Sequence, residues 1–180
     1  MSAGAQQAPR AGPTPSVARR LACFVYEGML LAGVLMITGA LYSGLTQQRQ
    51  AVQGRLGLQA VLFVVLALYF TWFWSRGGQT VAMKAWHIRL VMHDGKPVSP
   101  GRACARYLAS WLWFLPALAI SRQTGLAGIW PIVGTLGAGV LAYAALAWLR
   151  TDRQFWHDAL CATRLVNWRP APPAQAESGA

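Results

Sequence analysis

Six side chains in this sequence have the type and position to do chemistry, and Glu27 is the sharpest of them. It lies six residues into an apolar run that begins at Leu21 and carries no other charge. At ~1.5 Å per helical residue it sits ~9 Å below the start of that run. A carboxylate at such a depth in hydrocarbon costs a few kcal/mol or more unless it is paired, hydrated or protonated. Arg20 precedes it by seven residues, which returns to nearly the same helix face. The two are ~10 Å apart along the axis, so long side chains or a third group must connect them. Asp158, beyond the last apolar run, is the candidate third group, with Lys84 as a substitute cation. The expected arrangement places Arg20 between Glu27 and Asp158 and turns its neighbour Arg19 away from the bundle, because the helix rotates ~100° per residue. That is the chemistry of a carboxylate that binds a cation or proton and is tuned by nearby charges. The plainer alternative has Arg20 snorkelling to fix orientation, Glu27 hydrogen-bonded for packing and Asp158 solvated.

The remaining two, His157 and Cys161, are one helical turn apart. Two ligands of mixed type fall short of a metal site, and no cofactor is expected. Neither a Ser/His/Asp order at catalytic spacing nor a Gly-rich phosphate loop occurs, so the chain does not read as an enzyme.

These residues are positioned by a chain that is 55% apolar and only 12% charged, about half the charged share of a soluble domain. Sixteen basic residues against five acidic ones give a net charge of +11, which suggests either nucleic acid or an anionic membrane surface. The cations fall between long apolar blocks and form no basic run interleaved with aromatics. That favours the lipid bilayer and argues against nucleic acid. A hydrocarbon core ~30 Å thick needs about 20 apolar helical residues. Blocks at about 21–45, 56–75, 103–121 and 128–149 meet that length, although the third holds Arg106 in its first turn and Pro116 inside. Trp72, Trp74, Trp111, Trp113, Trp130 and Trp148 lie near block ends, the depth that indoles prefer. The pattern predicts an all-α membrane protein with four transmembrane helices.

Thirteen Lys and Arg fall in the two tails and the second loop, against three in the other two loops. The positive-inside rule then puts both termini in the cytoplasm. Residues 1–17 and 168–180 read as disordered tails around a membrane domain at 18–167. Cys23, Cys104 and Cys161 all fall near the inner face and are expected to be free. In the second loop, Ala85 to Met92 alternates as a half-buried strand does, and Asp94-Gly95 follows as a turn. Thr163-Arg164-Leu165-Val166 resembles Ile88-Arg89-Leu90-Val91. Neither strand would be stable alone, so the two are expected to pair. With a short interfacial helix over Asp152 to Cys161, they would form a small cytoplasmic cap.

Arg20-Leu21-Ala22-Cys23-Phe24-Val25-Tyr26-Glu27 resembles the opening of the RDD family of bacterial membrane proteins. That family is named for an Arg at the start of its first helix, an Asp seven residues on, and a second Asp. Gly78-Gln79-Thr80-Val81-Ala82-Met83-Lys84, continuing through Ile88 to Gly95 and on to Arg106, resembles its central segment. Phe155-Trp156-His157-Asp158-Ala159-Leu160 with Thr163 to Val166 resembles its closing segment, so Asp158 matches the second Asp. Glu27 replaces the first Asp, and Met83 stands where a Gly before the Lys is common. The resemblance implies a multi-pass protein of the bacterial inner membrane, some of whose relatives are linked to sodium–proton antiport. A transporter or transport component for a small cation or proton is one expectation. The other is an accessory or scaffold protein that binds another membrane protein or anionic lipid. Small residues at Gly28, Gly33, Gly39, Gly134, Gly137 and Gly139 would permit close helix contact in a homo-oligomer or with such a partner.

Overall fold

The computed structural model describes residues 12–46, 55–123, 128–149 and 154–169. It is mostly helical. Helix α1 (Val17–Leu45) starts at Ser16, whose side chain accepts the Arg19 amide, so one of the unpaired donors of the first turn is satisfied. Helix α2 (Arg55–Arg76) leads into the short α3 (Val81–Ala85), capped by Thr80. Strand β1 (Ile88–Met92) follows. Helix α4 (Pro100–Ser110) has Ser99 as its cap and proline in its first turn. A 3-10 turn at Trp111–Trp113 then separates α4 from α5 (Leu115–Gln123). Pro116 accounts for this break, because it has no N–H to give to the preceding turn and its ring crowds that turn's carbonyl. Helix α6 (Ile129–Leu146) ends in a 3-10 turn at Ala147–Leu149. Helix α7 (Trp156–Leu160) and strand β2 (Thr163–Asn167) complete the described chain.

Three helical stretches are long and apolar enough to cross a membrane: Val17–Leu45, Leu56–Arg76 and Pro100–Ile120. The apolar part of α6, Trp130–Leu146, is shorter. The burial pattern fits lipid rather than water. Met29, Met36, Ile37, Leu41, Leu68 and Leu141 are all more than 60% exposed, a surface that a soluble protein would hide. The main core lies where the strands meet the helices, around Trp74, Met83, Ile88, Leu90, Tyr107 and Leu165. Tyr107 also ties α4 to α2 by donating to the Phe63 carbonyl at 2.9 Å.

The two strands pair antiparallel, as their like sequences suggested, with a register from Ile88↔Asn167 to Met92↔Thr163 centred on Leu90↔Leu165. Each strand follows a five-residue helix and a left-handed residue, His87 (φ 54°) before β1 and Ala162 (φ 51°) before β2. The likeness extends further. Ser16 and Ser99 each cap a helix by accepting the amide of an arginine three residues on. Those arginines do matching work: Arg19 Nη2 donates to the carbonyl of Trp86 and Arg102 Nη1 to that of Cys161, the residues that end α3 and α7. The described chain is therefore two halves of one plan, each a latched long helix, a second helix, a short helix and a strand. Arg19 also donates to Asn167 Oδ1 at 2.9 Å, so it is a structural residue and not an idle surface charge.

Residues 12–16, placed above in the N-terminal tail, lie against β2. Gly12 donates to the Asn167 carbonyl and Asn167 to that of Pro13. At the other end Trp168 still belongs to the fold: its amide donates to the His87 carbonyl, and the Arg89 guanidinium stacks on its ring. The rest of both expected tails lies outside the described residues.

Candidate functional site

A cleft of about 530 Å3 runs between the two halves. One wall is α1 from Arg20 to Leu35, ~22 Å at helical rise. Leu66, Phe70 and Trp74 of α2 face it, as do Arg106 and Tyr107 of α4, Phe114 between α4 and α5, and Leu136 of α6. Its charged and polar lining includes Arg20, Glu27, Thr80, Arg106, Ser110 and His157.

Glu27 is buried, and each carboxylate oxygen accepts a hydroxyl proton. Tyr69 Oη donates to Oε1 at 2.7 Å, and Thr80 Oγ1 donates to Oε2. Thr80 Oγ1 also accepts the Met83 amide at the start of α3. The carboxylate thus links α1 to α2 and to the short helix before β1. This shared desolvation keeps a charged group tolerable inside an apolar span. Met83 packs in the core below it. Close backbone approach falls instead at Gly78 (φ +69°), where an added Cβ would overlap the Leu90 carbonyl oxygen.

Asp158 is fully buried and takes its bonds from Arg106, not from the expected Arg20 or Lys84. Arg106 Nε donates to Oδ1 at 2.8 Å and Nη2 to the same oxygen at 2.6 Å. Behind the pair, the guanidinium lies 4.2 Å from the Trp74 ring centroid, and its Nη2 is 3.4 Å from His157 Nε2. Arg106 carries only donors, so toward it Nε2 acts as an acceptor, while Asp158 Oδ1 lies 3.5 Å from the same nitrogen. Nδ1 is 3.1 Å from Tyr143 Oη, which also accepts the His157 amide at 3.0 Å. Burial pushes the His157 imidazole down to about 4. The charges of Arg106 and Arg20 add to this and Asp158 opposes it.

Arg20 is buried in the wall of the cleft, its guanidinium carbon 4.1 Å from the centroid of Phe155. Lys84 is exposed in the last turn of α3 and is not the cation of the buried pair. The structure therefore gathers Arg20 and Glu27 along one cleft, sets Asp158 just behind its wall, and leaves Lys84 outside. Sequence reasoning gave no site role to Arg106, Thr80 or Tyr69, and it weighed His157 only together with Cys161. For Arg106 the signal was present. A cation in the first turn of an apolar block raises the same desolvation question as Glu27, yet it was counted only as an orientation charge. The hydroxyls carried no comparable signal.

The sequence model of the RDD family matches residues 14–162, most of the chain and every charged residue of this site. The chain belongs to the RDD family. Its first helix, with Arg20 and Glu27, and its buried Asp158 all lie inside the matched RDD region. Comparison with curated proteins and with solved structures finds no match. Family membership together with the apolar helices makes this a multi-pass membrane protein of the RDD type.

Proposed function

We propose that this RDD protein carries a small cation or proton across the bacterial inner membrane, with Glu27 as the carrier group. The observation that carries this reading is the placement of Glu27: a buried carboxylate within a spanning helix, lining the cleft between the halves. A proton arriving on Glu27 must be donated onward. Tyr69 and Thr80 both donate to the carboxylate now, and each hydroxyl oxygen has a lone pair with which to accept that proton once it turns. A cation would instead meet one carboxylate and two hydroxyl oxygens, a hard-oxygen set. Either event alters the bonds that hold α1 to α2 and α3, so occupancy is felt at the strand pair.

In this reading α6 is the fourth span and both termini are cytoplasmic. The repeat supports the count, because α6 holds in the second half the place that α2 holds in the first. With its 3-10 extension to Leu149, α6 is about the length of the hydrocarbon core. The thirteen-to-three distribution of cations supports the orientation. Four helices form a thin wall for a pathway, so a homo-oligomer or a partner membrane protein would complete it, and no enzymatic step is involved.

The test is ion flux in vesicles reconstituted with the full chain, under an imposed sodium or proton gradient. Wild type should dissipate the gradient and Glu27→Gln should not, while eluting as a folded protein. Equal flux from both would remove Glu27 as carrier. Absence of flux from wild type would favour the accessory reading, in which the exposed apolar faces bind another membrane protein or anionic lipid.

A further inference from the structure

The cleft is larger and more apolar than an ion alone requires. From Gly28 to Leu35 its α1 wall offers no polar side chain, and Phe70, Trp111, Phe114 and Leu136 close it with apolar groups. At roughly 30 Å3 for a group the size of a water, 530 Å3 holds about eighteen such groups. That is the bulk of one long hydrocarbon tail rather than two. In the polar lining, Arg106 reaches Asp158 and His157 through Nε and Nη2. Its Nη1 takes no part in those bonds, although the side chain lines the cleft. Arg20 lines the cleft as well. A guanidinium edge at the mouth of an apolar slot suits a phosphate oxygen, because the charge-assisted bond is strong and the geometry of the fork matches.

We propose that the cleft binds a single-tailed amphiphile with a phosphate head, the phosphate accepting from Arg106 and the tail lying along α1 from Gly28 to Leu35. This does not depend on ion movement through Glu27. Gly28 offers a way to close the slot without disturbing the fold: a Cβ added there meets nothing within 4 Å, and leucine is the better helix former.

Native mass spectrometry of the full chain in detergent tests this with three probes: a monoacylglycerol phosphate, the matching monoacylglycerol, and inorganic phosphate. The phosphate amphiphile should give one adduct, at least tenfold tighter than the neutral lipid, and inorganic phosphate should give none. Gly28→Leu should weaken the adduct at least tenfold with a melting temperature no lower than that of wild type. Leu35→Phe, at the far end of the slot, should shift preference toward a shorter tail. The proposal is overturned if both variants bind all three probes as wild type does. It is equally overturned if the neutral lipid or free phosphate binds as tightly as the phosphate amphiphile.

Discussion

Replacing Arg106 by alanine is the most informative single perturbation of this fold. The side chain is 7% exposed and its partner Asp158 is 0% exposed. The substitution removes two charge-assisted hydrogen bonds and the guanidinium packed on Trp74. It also leaves a carboxylate in the interior with no cation bonded to it. Breaking one side of a buried pair costs about 3–5 kcal/mol, a fifth or more of the ~5–15 kcal/mol that holds an ordinary domain together. At ~2–4 °C per kcal/mol for a chain of this size, the melting temperature should fall by about 6–20 °C. The double variant Arg106→Leu/Asp158→Leu removes both charges and should melt well above Arg106→Ala, since much of the single-variant loss is the stranded carboxylate. The assay is fluorescence-detected size exclusion of heated detergent extracts. Lys96→Ala serves as control, its ion pair with Asp94 being largely exposed. Melting of Arg106→Ala within 2 °C of wild type would refute the claim that this buried pair holds α4 to α7. So would a double variant that falls by the sum of the two singles.

Three further outcomes follow from the same geometry. His157 is held near 4 against about 6.5 for a free imidazole, so the unfolded chain binds its proton first. Stability should be flat above pH 6.5 and fall by up to about 3 kcal/mol as the pH drops toward 4; a thermal melt series should show this, and His157→Gln should flatten the slope. Gly78→Ala should lower stability by more than the ~1 kcal/mol of a strained φ alone, because its Cβ meets the Leu90 carbonyl; melting as wild type would contradict the close approach. For orientation, a cysteine at the exposed Lys96 should resist an impermeant thiol reagent in intact cells and react in inverted vesicles, and the reverse would overturn the cytoplasmic assignment. Native Cys161 is a poor reporter because burial raises its thiol above the ordinary value, which suppresses the reactive thiolate.

The apolar blocks and the strand pair were legible because each carries a pattern that survives without knowledge of the fold. Twenty apolar residues have one common use, and Ile88–Val91 and Thr163–Val166 match each other residue for residue in character. Glu27 was legible for the same reason: a carboxylate inside such a block demands a partner. Its partners were not, since Tyr69 and Thr80 are ordinary residue types and reach it from 42 and 53 positions away. The contact of Arg106 with Asp158 is made across 52 residues, a distance in sequence at which spacing along one helix carries no signal. Helical periodicity ranks which residues share a face. It does not say which helix that face meets.

The repeat frames the charges that line the cleft. Latches at Arg19 and Arg102, the left-handed turns at His87 and Ala162, and the strand register are shared by both halves. The buried charges are not shared. Counted from the capping serines, Glu27 corresponds to Ser110 and Arg106 to Cys23, neither of them charged. The first half gives its long helix a carboxylate and meets it with the hydroxyl of Thr80. The second gives its long helix a guanidinium and meets it with the carboxylate of Asp158. A symmetric frame therefore holds charges of opposite sign against one slot, Glu27 against Arg20 and Arg106, with His157 beside Arg106. If the frame alone mattered, moving the carboxylate to its counterpart with Glu27→Ser/Ser110→Glu would preserve function. The structure argues otherwise: Ser110 Oγ donates to the Tyr107 carbonyl within its own helix, and among the described residues no hydroxyl of α2 or α3 donates to it. A carboxylate at 110 would enter the slot without the two donors that make Glu27 tolerable, and the exchanged variant should be both less stable and inactive in flux.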